Sequence, residues 1–151
     1  MKKVVKFILT KEVGRLCRWL RILGFDAEYF LENNLATLII KALRENRVIV
    51  TRKKKIDDLK VIRVYANDVK EQLREVLIQL ELRPDEEKMF TRCVICNKTL
   101  EKVEKEEVKE KVPLYVYQTQ NEFYQCPSCR RIYWQGTHWG NVKKIIQDLA
   151  L

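Results

Sequence analysis

At 151 residues the chain has room for one medium domain or two small ones. No apolar run approaches the roughly 18 residues that a membrane-spanning helix needs, so no bilayer partner is expected. Thirty Lys and Arg face 21 Asp and Glu, a formal charge of +9, and a lone histidine excludes histidine triads and histidine-rich metal sites.

The basic excess is spread along the chain. Residues 1–88 carry 20 basic and 14 acidic side chains, and residues 89–151 carry 10 and 7. Such a balance in a small protein favours a polyanionic partner, nucleic acid first, against the plainer reading of a lysine-rich surface. The opening run Met1-Lys2-Lys3-Val4-Val5-Lys6 turns polar at Thr10-Lys11-Glu12, too short a stretch for a secretory signal, which predicts a cytoplasmic protein.

Residues 3–9 read as an apolar strand. A helix follows over residues 11–24, with Val13, Leu16, Cys17, Leu20 and Leu23 at helical spacing. Lys11, Arg15 and Arg18 lie on its opposite face, Arg21 at the edge of that face, and Gly24 closes it. Residues 27–30 form a second strand. Asn33 or Asn34 caps a helix over 35–45 that turns Leu35, Leu38, Ile39, Ala42 and Leu43 inward. Strands at 47–50 and 61–64 bracket a polar loop. Asp68 and Glu71 open a helix running through Leu80, whose core face is Val69, Leu73, Val76, Leu77 and Leu80. Pro84 and Asp85-Glu86-Glu87 mark a linker. Strands alternating with connections of a dozen residues imply a parallel sheet with helices on both faces. Ligands of such sheets gather at the carboxyl ends of the strands, here near Thr10, Leu31, Thr51 and Tyr65.

The remainder is organised by cysteine. Cys93-Val-Ile-Cys96 and Cys126-Pro-Ser-Cys129 are two C-x-x-C pairs 29 residues apart. Four thiolates so spaced fill the tetrahedral sphere of Zn²⁺ and leave no position for water, which defines a structural site, not a catalytic one. Two redox dithiols or disulfides are the competing reading, and the absence of a secretory signal argues against it. Residues 101–111 read as a charged arm or short strands; 114–117 and 122–125 as strands leading into the second knuckle; 132–134 as a strand leading out; and 139–150 as a terminal helix. The expected division is an α/β domain over residues 1–88 and a small zinc ribbon with its helix over 89–151. Cys17, on a core face, reads as a buried small hydrophobe. Tyr124, Tyr133, Trp134 and Trp139 read as ribbon filling, with base stacking as the alternative.

Three blocks carry a resemblance. They are Gly14-Arg15-Leu16-Cys17-Arg18-Trp19-Leu20-Arg21-Ile22-Leu23-Gly24-Phe25-Asp26, then Arg47-Val48-Ile49-Val50-Thr51-Arg52, then Arg92-Cys93-Val94-Ile95-Cys96-Asn97 with Tyr133-Trp134-Gln135-Gly136-Thr137-His138. In order and spacing they resemble the Mut-seven C-terminal RNase domain family, which joins a PIN-like α/β domain to a zinc ribbon. The resemblance implies an acidic cluster at the strand ends holding Mg²⁺ or Mn²⁺. It places one aspartate after the first strand and another after the Thr-Arg of the third. This chain has Thr10 and Lys53 there, and Lys54 and Lys55 follow.

A lysine cluster repels divalent ions and attracts phosphate. The expectation is therefore an RNA-binding protein on a degenerate, inactive nuclease fold. Its expected host is a ribosome or another ribonucleoprotein, with ribosomal RNA and neighbouring ribosomal proteins as partners. Its candidate contacts are Lys11, Arg15, Arg18, Arg21, Arg52, Lys53, Lys54, Lys55, Arg130, Arg131 and His138. His138 and the knuckle arginines suit phosphate, although a loop histidine bonded to backbone is an equal reading for His138. The alternative is an active Mg²⁺- or Mn²⁺-dependent endoribonuclease with a shifted acidic site at Asp57 and Asp58. Glu12 and Asp26 are the other carboxylates available to it.

Overall fold

The computed structural model describes residues 4–53, 60–149 and 151. Strands β1 (Lys6–Thr10), β2 (Asp26–Phe30), β3 (Arg47–Thr51) and β4 (Val61–Arg63) form a parallel sheet in the order β2-β1-β3-β4. Side chains alternate across its two faces, as the pleat requires. Phe7, Leu9, Val48 and Val50 enter one core, and Ile8 and Ile49 the other.

The larger core lies under α1 (Gly14–Ile22, after a 3-10 turn at Lys11–Val13) and α3 (Val69–Gln79). Leu16, Cys17, Leu20 and Leu23 come from the first segment, and Leu73, Val76 and Leu77 from the second. Gly24 takes φ +92°, and any side chain there would collide with the Lys88 carbonyl, so the helix stop is also a packing requirement. The smaller core lies under α2 (Leu35–Glu45), whose N-cap is Asn34: its side chain accepts from the Thr37 N–H at 3.2 Å. Asp68 caps α3 by accepting from the Lys70 and Glu71 N–H groups.

Two expected core positions on α2 prove to be on the surface. Leu35 is 40% and Leu43 62% exposed, while Leu38 and Ala42 are buried. Leu38 and Ala42, an i, i+4 pair, cluster with Ile8 and Ile49, while Leu35 and Leu43 lie on the neighbouring line, on which only Ile39 is half-buried.

The second half is built on an antiparallel sheet, β5 (Glu101–Val103), β6 (Phe123–Gln125) and β7 (Ile132–Tyr133), in that order. Residues 114–117 are not a strand. They begin α4 (Leu114–Thr119), in which the Val116 and Tyr117 N–H groups return to the Pro113 carbonyl. The Leu-Tyr-Val-Tyr run pairs with no strand of this sheet. It instead drops Val116 onto Val108 and Phe123. Helix α5 (Gly136–Asp148) begins three residues earlier than its apolar pattern suggests, and it returns to the first sheet. Val142 and Leu149 enter the larger core, and Arg74 Nε donates to the Leu149 carbonyl at 3.0 Å.

Candidate metal centre and nucleic-acid interface

The ligand atoms of Cys93, Cys96, Cys126 and Cys129 all lie within 4.8 Å of one another. The two knuckles share one construction. The N–H of the residue after each pair, Asn97 or Arg130, bonds the first cysteine's carbonyl, at 2.9 and 3.0 Å. The first cysteine's N–H bonds the carbonyl of Lys98 or Arg131, at 2.9 and 3.0 Å. Asn97 and Arg130 take φ 64° and 67°, the left-handed turn that closes each loop. Cys93 Sγ accepts the Cys96 N–H, and Cys126 Sγ accepts those of Ser128 and Cys129.

Backbone N–H groups aimed at sulfur stabilise thiolate, the form that binds metal. A tetrahedral zinc with bonds of about 2.3 Å separates its sulfurs by about 3.8 Å. Cys93 and Cys129 stand 3.6 Å apart, so the set fits zinc. Tyr133 sends its hydroxyl to Cys93 Sγ at 3.1 Å, a supporting contact that the spacing of the cysteines does not reveal.

The first knuckle is bolted to the parallel sheet. Asn97 Nδ2 donates to Asp26 Oδ1 at 2.7 Å, and its Oδ1 accepts the Ala27 N–H at 3.1 Å. Asp26 also pairs with Arg47 at 2.7 Å. Burial pushes the Asp26 carboxyl up, but the bonds from Arg47 and Asn97 outweigh it and hold it below the ordinary aspartate value. Asp26 pairs in register with Lys6, at the amino end of the sheet. Glu12 follows Thr10, at the carboxyl end, so the two do not share a site.

At that carboxyl end Thr10 and Thr51 are buried side by side, their hydroxyls 2.9 Å apart. Glu12 Oε1 accepts from Thr10 at 2.6 Å, from Thr51 at 3.1 Å and from the Arg52 N–H at 3.2 Å. Burial raises the Glu12 carboxyl; these bonds and one from its own N–H overcome that and leave it lowered. Lys53 is exposed, and its N–H bonds Thr51 Oγ1. Arg52 turns its guanidinium to the 65–67 loop, bonding Ala66 O, Tyr65 O and Asn67 Oδ1.

Of the other basic candidates, Lys11, Arg15 and Arg18 are exposed along α1 and its leading turn. Arg21 is placed differently from its sequence reading: it is 8% exposed and turned inward. Its Nε donates to Ala27 O at 2.7 Å, and its Nη1 to Val94 O and Ile95 O at 2.9 and 3.2 Å. Arg130 and Arg131 are exposed beyond the second knuckle. His138 falls in the first turn of α5. Lys54, Lys55, Asp57 and Asp58 lie outside the described residues. Trp134 packs edge-on to Phe123, Tyr124 and Tyr133 pack beside the cysteines, and Lys143 covers the Trp139 ring.

A parallel α/β sheet joined to a pair of knuckles whose four cysteines could hold a metal ion defines an α/β protein with a candidate zinc site and a basic flank. The family follows from nearly the whole chain: residues 5–146 match the model of the Mut7-C RNAse domain, and the protein belongs to that family. Membership ties it to an RNA-related function. No curated protein and no solved structure matches the chain. Among the described residues no helix is long and apolar enough to cross a membrane.

Proposed function

We propose that this protein binds RNA on a degenerate, inactive PIN-like fold, as a structural component of a ribosome or another ribonucleoprotein particle in the cytoplasm. The observation that carries the reading is Glu12. This carboxylate between the ends of β1 and β3 is occupied by two threonine hydroxyls and a backbone N–H. Where the family resemblance expects aspartates, the chain has Thr10 and Lys53. A hydroxyl and an ammonium do not supply the hard anionic oxygens that Mg²⁺ or Mn²⁺ needs. They do suit a phosphate, which gains from cations and donors alike.

The reading is tested by sedimentation and by cleavage. The protein should travel with ribosomal particles in a gentle lysate and move to the top of the gradient after RNase or high salt. Purified, it should leave RNA intact in Mn²⁺ or Mg²⁺. Metal-dependent cleavage that disappears on joint Asp57→Asn and Asp58→Asn substitution would instead establish an active endoribonuclease.

A further inference from the structure

A cleft of about 420 Å³ lies between α1, β2 and the first cysteine knuckle, walled by Arg15, Arg18, Arg21, Tyr29, Val94 and Ile95. None of its lining residues is a carboxylate. We infer that it is a subsite for a single-stranded RNA nucleotide, with the phosphodiester held by Arg21, Arg15 and Arg18 and the base laid against Tyr29 and Ile95. The inference rests on the RNA-binding reading and gives that reading a place.

More than nine-tenths of Arg21 is buried, and its bonding partners are three carbonyl oxygens. Carbonyls satisfy N–H donors but do not neutralise a charge, and a buried guanidinium is costly until an anion balances it. Among the described residues no carboxylate is paired with Arg21. Its Nη2 bonds none of the described residues, and the side chain lines this cleft and an adjoining one that also holds Asp26 and Glu28. The Ala27, Val94 and Ile95 carbonyls hold Nε and Nη1, so the guanidinium is fixed in place before any ligand arrives. A charged donor fixed in this way gives one charge-assisted bond to a phosphate oxygen and leaves the other oxygens to Arg15 and Arg18.

The walls suit the rest of a nucleotide. Arg15 and Arg18 stand three residues apart on α1, and Arg18 and Arg21 likewise, so the three stack along one flank of the helix. Tyr29 lies over Gly14, where a Cβ would come within 2.9 Å of its hydroxyl and 3.1 Å of its ring. Its hydroxyl is anchored on the Lys11 carbonyl. The ring is therefore a fixed wall, and Ile95, 43% exposed, is an apolar lip across from it. Sites of about 300–1,000 Å³ take small organic ligands, which admits a nucleotide and excludes a duplex.

The test uses the full-length, zinc-loaded protein and fluorescence anisotropy with a labelled single-stranded RNA oligonucleotide at several salt concentrations. Joint Arg15→Gln and Arg18→Gln substitution should weaken binding about tenfold or more, since each bond to a charged group counts for a sizeable fraction of a decade or more. It should also reduce the salt slope by about 1.4, from two phosphate contacts on a single strand. Joint Lys109→Gln and Lys111→Gln substitution, an equal loss of charge on the exposed 109–111 segment, should leave both readings near wild type. Arg21→Lys keeps the charge and removes the fixed Nη2 donor; it should bind RNA more weakly while retaining one bound zinc.

If the wild type binds RNA and the Arg15/Arg18 variant matches it in affinity and slope, the subsite is wrong while RNA binding stands. If the wild type binds no RNA, both readings fall. If a nucleoside monophosphate binds as tightly as the oligonucleotide and depends equally on Arg18, the site is one for a free nucleotide and the strand assignment is overturned.

Discussion

Asn97 holds Asp26 with its amide nitrogen and the Ala27 N–H with its amide oxygen, at 2.7 and 3.1 Å. One side chain thus joins the left-handed turn of a cysteine knuckle to the first residues of β2. Asn97→Ala removes both bonds, one of them to a carboxylate, and forces alanine into φ 64°. The expected loss is about 2–4 kcal/mol from the bonds and about 1–2 kcal/mol from the left-handed backbone. Asn97→Gly removes the bonds without the strain and should lie about 1 kcal/mol above the alanine variant. Urea denaturation of both variants separates the two effects. A loss within about 0.5 kcal/mol for alanine, the range of an ordinary surface change, would mean that the joint carries no stability.

The zinc site should be visible as protected sulfur. The native protein should bind one equivalent of zinc and show no fast-reacting thiol. A strong chelator should expose four thiols and unravel the knuckles, while Cys17 stays slow. Cys17 is buried at the core face of α1, which pushes its thiol up to about 11, so thiolate is scarce at neutral pH. Five fast thiols after chelation would show that loss of metal also opens the α/β core. The packing of Val142 and Leu149 against that core makes this the outcome to watch in thermal melts of the metal-free protein.

Much of this architecture is legible in the sequence, for physical reasons that differ by element. The parallel sheet follows from short apolar strands separated by helix-length connections. The knuckles follow from cysteine spacing, because a metal fixes geometry more tightly than any propensity does. What the sequence hides is tertiary choice. Arg21 stands one helical position from the exposed arginine face, and its inward turn depends on the Ala27, Val94 and Ile95 carbonyls, up to 74 residues away. The Leu114-Tyr115-Val116-Tyr117 alternation suits a strand locally and becomes a helix that packs Val116 on Val108 and Phe123, a tertiary contact that the alternation does not reveal. Leu35 and Leu43 are as apolar as Leu38 and Ala42, and only the tertiary fold decides that the latter pair meets Ile8 and Ile49. The pairing of Thr10 with Glu12 has a local signal, two residues apart, but the arrival of Thr51 beside them needs the β1–β3 register.

Two carboxylates set an expected acid limb. Asp26 and Glu12 are both held below their ordinary values despite partial burial, by Arg47 and Asn97 in one case and by Thr10, Arg52 and Thr51 in the other. A group whose folded value is depressed contributes its stability above the unfolded value and loses it as pH falls through the folded one. Stability should therefore hold at neutral pH and begin to fall near about pH 4, where free carboxyls titrate. Asp26→Asn should lower the neutral plateau and make the acid limb shallower. An unchanged limb, followed by circular dichroism across that range, would show that the Arg47–Asp26 pair does not couple to folding.

Thr10, Thr51 and Glu12 form one cluster at the carboxyl end of the sheet. Thr10 donates to Glu12 at 2.6 Å and stands 2.9 Å from Thr51. Thr10→Asp would replace a donor with an anion facing an anion. At a separation near 4 Å and an effective dielectric of about 20, two like charges repel by about 4 kcal/mol. The variant should be less stable than wild type at pH 7, and millimolar Mn²⁺ should restore part of the loss by bridging the two carboxylates. Wild type should show no such dependence, because its Glu12 already accepts two hydroxyls and an N–H. Thermal denaturation of both proteins with and without Mn²⁺ decides the matter. A wild-type protein stabilised by Mn²⁺ as strongly as the variant would mean that a divalent-ion site survives there, and the inactive-fold reading would have to yield to the nuclease.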